Sequence, residues 1–309
     1  MSVAMSAAGD DPVRAALEAA IRAPSPHNSQ PWRFEVDGSR IDVFCDGDRV
    51  LKVADPEGRE ARLACGAAIL NARLAVRAAG RTPVVHLLPR RGRPDHLASV
   101  WVRAGRPATA DELALARAIA YRRSNRRAFT ARPVPEWVRE ALVRAAADEG
   151  AYLSVPPGEG AVAEFAALVR EGERVQRDDP AFQAELARWT ALDGAREDGL
   201  PPAAATLGPD WPFERRPLVA VLMTDTDSGL AQVRAGLALQ RVLLRATTAG
   251  VSVSLLSQPV EIPRLREAVA RLVPGPGRPQ VALRFGYGFA APATRRRPVA
   301  SVARFAGQG

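Results

Sequence analysis

The residues most able to do chemistry here are amides, hydroxyls and guanidinium groups. Ser25, Asn28 and Gln30 lie in one stretch, APSPHNSQPWRF, from Ala23 to Phe34. Prolines stiffen that stretch by fixing φ and removing donors, so three hydrogen-bonding side chains are presented with little freedom. Two arginine clusters stand elsewhere, RRSNRR from Arg122 to Arg127 and TRRRP from Thr294 to Pro298. A guanidinium offers a planar fork of donors suited to phosphate. Taken singly, the loop is ordinary turn chemistry and each cluster a solvated charge run. Taken together, they suit a small anionic ligand.

Other chemistries lose support from the pattern. GYGFAA at Gly286–Ala291 fits GxGxxA, but Pro292 follows where a dinucleotide-binding fold needs a helix, so a strand ending in a turn is the better reading. There is no GK[ST] and no GxSxG. His27, His86 and His96 show no ligand spacing with one another or with Cys45 and Cys65, so no metal site is expected, and His86 reads as a core residue of an apolar strand. Two cysteines outside CxxC spacing make no disulfide framework. The formal charge is +9, carried almost wholly by arginine, with Lys52 the single lysine. Because those arginines are interleaved with Asp and Glu, nucleic-acid binding is not expected. No apolar run reaches the ~18 residues of a membrane span, and the start MSVAMSAAGDDP has no basic leader, so the expected address is cytoplasmic.

The elements that must position these groups repeat. GAAILNARLAVRAAGRTPVVHLLP begins at Gly66 and GLALQRVLLRATTAGVSVSLLSQP at Gly236. Gly66 and Gly236, Gly80 and Gly250, and Pro89 and Pro259 each stand 170 positions apart. Both stretches read as a buried Ala/Leu-rich helix, a glycine stop and a β-rich run. VRAAL at Val13 and VREAL at Val138 match at an offset of 125, which puts extra residues in the second copy, at about 165–212. A long insertion of that kind is often a lid. Helices alternating with strands such as Pro217–Asp225, Val251–Leu256 and Gln280–Gly288 indicate a mixed α/β (α+β) fold.

These motifs carry a resemblance. RRSNRRAFTARPVPEWVREAL resembles the opening block of the nitroreductase superfamily, APSPHNSQPWRF its Pro-Ser loop beside the flavin, and GYGFAAPATRRRPV its C-terminal block, whose basic pair holds the FMN phosphate. The loop here precedes the Arg-Ser block, an inversion similar to the Acg-type branch, in which two nitroreductase modules are fused. The resemblance implies a nitroreductase-like fold of two pseudo-symmetric modules, residues 1–115 and 116–309, forming an intramolecular pseudo-dimer that can be monomeric. It implies one FMN per chain, with Arg122, Arg295 and Arg297 on the phosphate and Ser25 assisting. Ser124 and Asn28 would serve the ribityl chain or ring edge, Gln30 would belong to the loop wall, and Arg126 would approach the pyrimidine. Ser257 and Gln258, in SQPVE, correspond to the strand end that reaches the hydride-accepting nitrogen, although the commoner Glu-Gly is absent. The implied function is an FMN-dependent oxidoreductase acting on a small electron-poor or unsaturated acceptor, with NAD(P)H as candidate donor. The alternative is a lidded protein that sequesters or stores FMN, and a basic interaction protein without cofactor is a third.

Overall fold

The computed structural model describes residues 11–190, 196–200 and 218–307. In chain order the helices are α1 (Pro12–Ala20), α2 (Arg59–Ala78), α3 (Ala110–Tyr121), α4 (Glu136–Ala147), α5 (Gly158–Asp178), α6 (Pro180–Arg188), α7 (Gly229–Thr248), α8 (Gln258–Glu261), α9 (Pro263–Leu272) and α10 (Val299–Val302). The strands are β1 (Trp32–Asp37), β2 (Arg40–Cys45), β3 (Arg81–Leu87), β4 (His96–Ala104), β5 (Tyr152–Ser154), β6 (Leu218–Thr224), β7 (Ser252–Leu256), β8 (Arg278–Gly286) and β9 (Ala303–Phe305). Among the described residues no helix is long and apolar enough to cross a membrane.

Local chemistry sets the helix starts. Asp11 accepts the Val13 N–H at the head of α1, with Pro12 in the first turn. Thr109 and Glu112 form a reciprocal capping box on α3, and Ser228 caps α7. Apolar faces then dictate the packing: α1 lies on α2, α4 on α7, and α2 and α7 on each other.

The strands form two sheets, ordered β3-β4-β2-β1-β9 and β7-β8-β6-β5. Apart from β9, the order is the same in both, and each sheet has one long buried helix, α2 or α7, against it. The repeated glycines explain how those helices meet. A Cβ on Gly66 would lie 2.2 Å from the Val233 carbonyl oxygen, and one on Gly236 would lie 2.1 Å from the Leu63 carbonyl oxygen. Leu63 and Val233 stand at the same interval as the glycines, so the contact is reciprocal, as a two-fold axis requires. Alanine at Gly66 should force the backbones apart and cost about 1–3 kcal/mol of stability, which urea denaturation would measure. An unchanged midpoint would show that the helices do not cross there.

Three expectations need correction. A boundary between residues 115 and 116 falls inside α3, which packs on both α2 and α7, and β9 from the far C-terminus pairs in parallel with β1. The insertion's helical part starts at Gly158 rather than 165, because α5 follows β5 after only a short turn; positions 191–195 and 201–212 of the expected range lie outside the described residues. His86 is exposed, since β3 is an edge strand, and it meets Trp101 edge to face.

Candidate active site

The loop from Pro24 to Gln30 is folded into an unusual backbone. His27, Asn28 and Gln30 have φ of 47°, 54° and 53°, a region non-glycine residues seldom occupy. Ser25 helps hold the strain, its hydroxyl accepting the Gln30 N–H at 3.0 Å and its carbonyl the Asn28 N–H. The Asn28 amide donates to the carbonyls of Gly199 (3.1 Å) and Arg295 (3.2 Å). The Gln30 amide donates to the Glu197 carbonyl at 2.9 Å and accepts the Arg297 N–H at 2.9 Å. These two amides therefore tie three distant segments together, and neither lines the neighbouring cavity. The amides thus latch the loop, while Asn28 Oδ1 is buried with no partner among the described residues.

The Arg-Ser block is held from the other side. Asn125 N donates to the Val253 carbonyl at 2.8 Å, and its amide donates to Ser252 Oγ and the Phe289 carbonyl. Ser124 and Arg126 are thereby brought to the wall of a cavity of about 350 Å³. Ser25, Pro26 and His27 form one side, Leu63, Ala64, Leu239 and Val281 the floor, and Leu255–Gln258 the far rim. Helices α5 and α6 also line it, with Gln176 of α5 and Phe182, Gln183 and Leu186 of α6. Gly172 lets α5 close down, because a Cβ there would stand 2.8 Å from Gln258 Cβ.

Two cations stand next to residues of the cavity wall, with no carboxylate among the groups that perturb them. Arg122 is 4% exposed, and its Nη1 stands 3.5 Å from Ser124 Oγ. Burial, with Arg296 and Arg123 nearby, lowers its pKa to about 9. Arg296 donates to the Ala23 carbonyl at 3.1 Å, and burial with Arg123 and Arg22 lowers its pKa to about 10. Among the described residues Nε of both guanidiniums is buried without a partner, although Arg296 Nη1 also donates to the Thr294 and Arg295 carbonyls. Uncompensated buried charge of this kind is expensive, and a dianionic phosphate would relieve it. The structure separates the three arginines of the C-terminal cluster. Arg295 is exposed, and Arg297 lies among Arg49, Asp46, Asp198 and Glu197, whereas Arg296 is the one that turns toward Arg122.

Two further features went unforeseen. His27 is held neutral at neutral pH, its pKa lowered to about 4 by burial and then by Arg126. Glu60 of α2 and Glu261 of α8 both line the cavity wall, close enough for each to shift the other's titration. Arg126 itself makes no hydrogen bond or ion pair among the groups described and is pushed below its ordinary value by burial. An apolar cavity with a guanidinium on its wall and two cations next to its wall residues suits a flat aromatic group carrying a phosphate tail.

Comparison with known proteins agrees with the motifs. The model of the nitroreductase family matches residues 119–287. Two Mycobacterium tuberculosis proteins named "Putative NAD(P)H nitroreductase" are similar along nearly their whole lengths. One, acg, is 34% identical over 94% of this chain and 95% of its own. The other, Rv3131, is 33% identical over 89% and 85%. Among solved structures, a nitroreductase with bound FMN from Bacteroides fragilis aligns with 63% of this chain and 96% of its own, at 16% identity and a TM-score of 0.40. One from Desulfitobacterium hafniense, also with bound FMN, aligns with 60% and 94%, at 18% and 0.42.

Proposed function

This chain belongs to the nitroreductase family, in its Acg-type branch, and from that premise we propose that it is an FMN-dependent oxidoreductase reducing a small electron-poor or unsaturated acceptor at the expense of NAD(P)H. The observation that carries the reading is the pair Arg122, buried, and Arg296, half-buried, with no carboxylate among the described groups that perturb them. They touch Ser124 and Ala23, at or next to the wall of an apolar cavity. When bound, the flavin supplies hydride transfer, so no side-chain nucleophile or metal is required. Arg122 and Arg296 hold the phosphate, with Ser25 and Ser124 donating from the wall. Arg126 stabilises negative charge on the reduced ring by fixed electrostatics. Ser257 and Gln258 form the rim opposite the Pro-Ser loop, while Asn28 and Gln30 hold that loop to the basic tail through the backbone of Arg295 and Arg297. The matched sheets and reciprocal glycines support an origin by fusion of two modules, with one flavin per chain and no need of a partner subunit.

A second reading is favoured by the insertion. Helix α6 is clasped onto the rest of the chain, which suits a protein that stores FMN behind a closed cover. Anaerobic titration separates the two. The purified chain is expected to carry about one FMN, and NADH or NADPH should bleach its absorbance within the mixing time of an assay. Bleaching by dithionite alone would overturn the enzyme reading in favour of storage.

A further inference from the structure

Reduction of an unsaturated acceptor consumes a hydride and a proton, and the proton needs a source beneath the cover. Resting on the oxidoreductase reading above, we infer that Glu60 and Glu261 share one proton and deliver it to the acceptor, the pair serving as the general acid of the reaction. Their placement is the basis. Glu60 sits in the first turn of α2 and Glu261 at the end of α8, and both line the cavity. Arg59 donates to Glu60 and to the Val260 carbonyl next to Glu261, and the two carboxyls lie close enough to perturb each other. Two carboxylates this close repel unless a proton lies between them.

The surrounding charges fit a pair carrying one proton. Arg59 is the nearest cation, its Nη2 donating to Glu60 Oε1 at 2.9 Å while its Nη1 donates to the Gln280 carbonyl at 2.6 Å. One guanidinium against two carboxyls sharing a proton is neutral overall. From α5, the Gln176 amide donates to Glu261, and from α8 the Ser257 hydroxyl bonds it. Asp55, before α2, accepts the N–H groups of Glu60 and Ala61 at 3.0 and 2.9 Å and faces Arg59 and Arg62. Burial first, and then Glu261, raises Glu60 well above the ordinary carboxyl range; Glu261 is raised by burial as well. The other cavity groups are poorer acids for the task. His27 is neutral, the serine hydroxyls are weak acids, and Arg126 is retained as a cation. Glu173 of α5, raised by burial against Arg177 and Arg170, is the nearest rival.

The step balances with a quinone acceptor. One quinone oxygen takes the hydride that a bound, reduced flavin would supply, with an electron pair of the ring moving to the other. The proton leaves the Glu60–Glu261 pair and forms the second O–H bond, giving the hydroquinone. The pair, then doubly negative, regains its proton from solvent. The acceptors this favours are neutral molecules with a carbonyl or nitro oxygen, because an acceptor carboxylate would meet the pair's negative charge.

The test uses the flavin-loaded chain, reduced with dithionite and mixed anaerobically with tetramethyl-1,4-benzoquinone. Glu60→Gln and Glu261→Gln should each retain one FMN by absorbance yet reoxidise at least about 100-fold more slowly at neutral pH, within the range expected for a lost general acid. Infrared spectra of the protein as purified should show a protonated carboxyl at pH 7 that disappears in either variant. Absence of that band in the parent protein overturns the shared proton. Wild-type reoxidation in both variants, or slow reoxidation only in Glu173→Gln, overturns the donor role and leaves the flavin reading standing. A parent chain that takes up no FMN overturns the flavin reading, and the donor role with it.

Discussion

Alanine at both Arg122 and Arg296 should leave a folded, colourless protein whose affinity for FMN has fallen by about 10²–10⁴. Each lost charge-assisted hydrogen bond removes about 1.5–3 kcal/mol, and every ~1.4 kcal/mol is a decade in affinity. The two residues come from segments 174 positions apart, Arg122 at the end of α3 and Arg296 after β8. Neither has a carboxylate among its perturbing groups. Their removal from the flavin-free protein therefore relieves buried cationic charge, while losing the Arg296 bond to the Ala23 carbonyl. The flavin-free variant should denature within about 1 kcal/mol of the parent. Arg295→Ala is the informative control, since its side chain is exposed and the loop uses its carbonyl, which alanine keeps. Flavin fluorescence titration measures all three. Equal losses in Arg295→Ala and the double variant would show that the phosphate lies elsewhere.

That contrast shows where the sequence was informative and where it stopped. The repeat was legible because its glycines are demanded by geometry: two backbones approach so closely at Gly66 and Gly236 that no side chain fits. The matching strand order follows from the same periodicity. The meeting of the Pro-Ser loop, the Arg-Ser block and the basic tail was legible as well, through residue types that suit an anion. Within TRRRP, however, three identical neighbours carry no sign of which one turns inward; adjacent side chains of a non-helical segment diverge, and burial selects Arg296. Asn28 and Gln30 were correctly marked as hydrogen-bonding residues, but their partners are main-chain groups at 197, 199, 295 and 297, which no side-chain pattern reveals. Glu60 and Glu261 carry no sign in the sequence that they share a cavity wall. Their chemistry exists only because α2 and α8 meet at one cavity wall.

Glu185→Ala should open the cover. Helix α6 presents Phe182, Gln183 and Leu186 to the cavity. The Glu185 carboxylate, 9% exposed, turns instead to the segment before α2. There it accepts the N–H groups of Lys52 at 2.6 Å, Val53 at 3.1 Å and Ala54 at 2.9 Å. Arg49 adds a second fastening through its ion pair with Asp198 and its position 5.2 Å over the Trp189 ring. Removing one partner of such a buried charged network costs about 3–5 kcal/mol, so the opened state should become about 10²–10³ times more populated on the ~1.4 kcal/mol-per-decade scale. Bound FMN should exchange with free flavin faster by a similar factor, and trypsin should cut more readily after Arg177 and Arg188. Glu185→Gln keeps one acceptor oxygen and should fall between. The same variant separates the two functional readings. If the parent already reduces with NAD(P)H, opening the cover changes the rate of an existing reaction; if the parent resists, reduction should appear only in Glu185→Ala. Flavin exchange at the parental rate in the alanine variant would mean that α6 is not what closes the cavity.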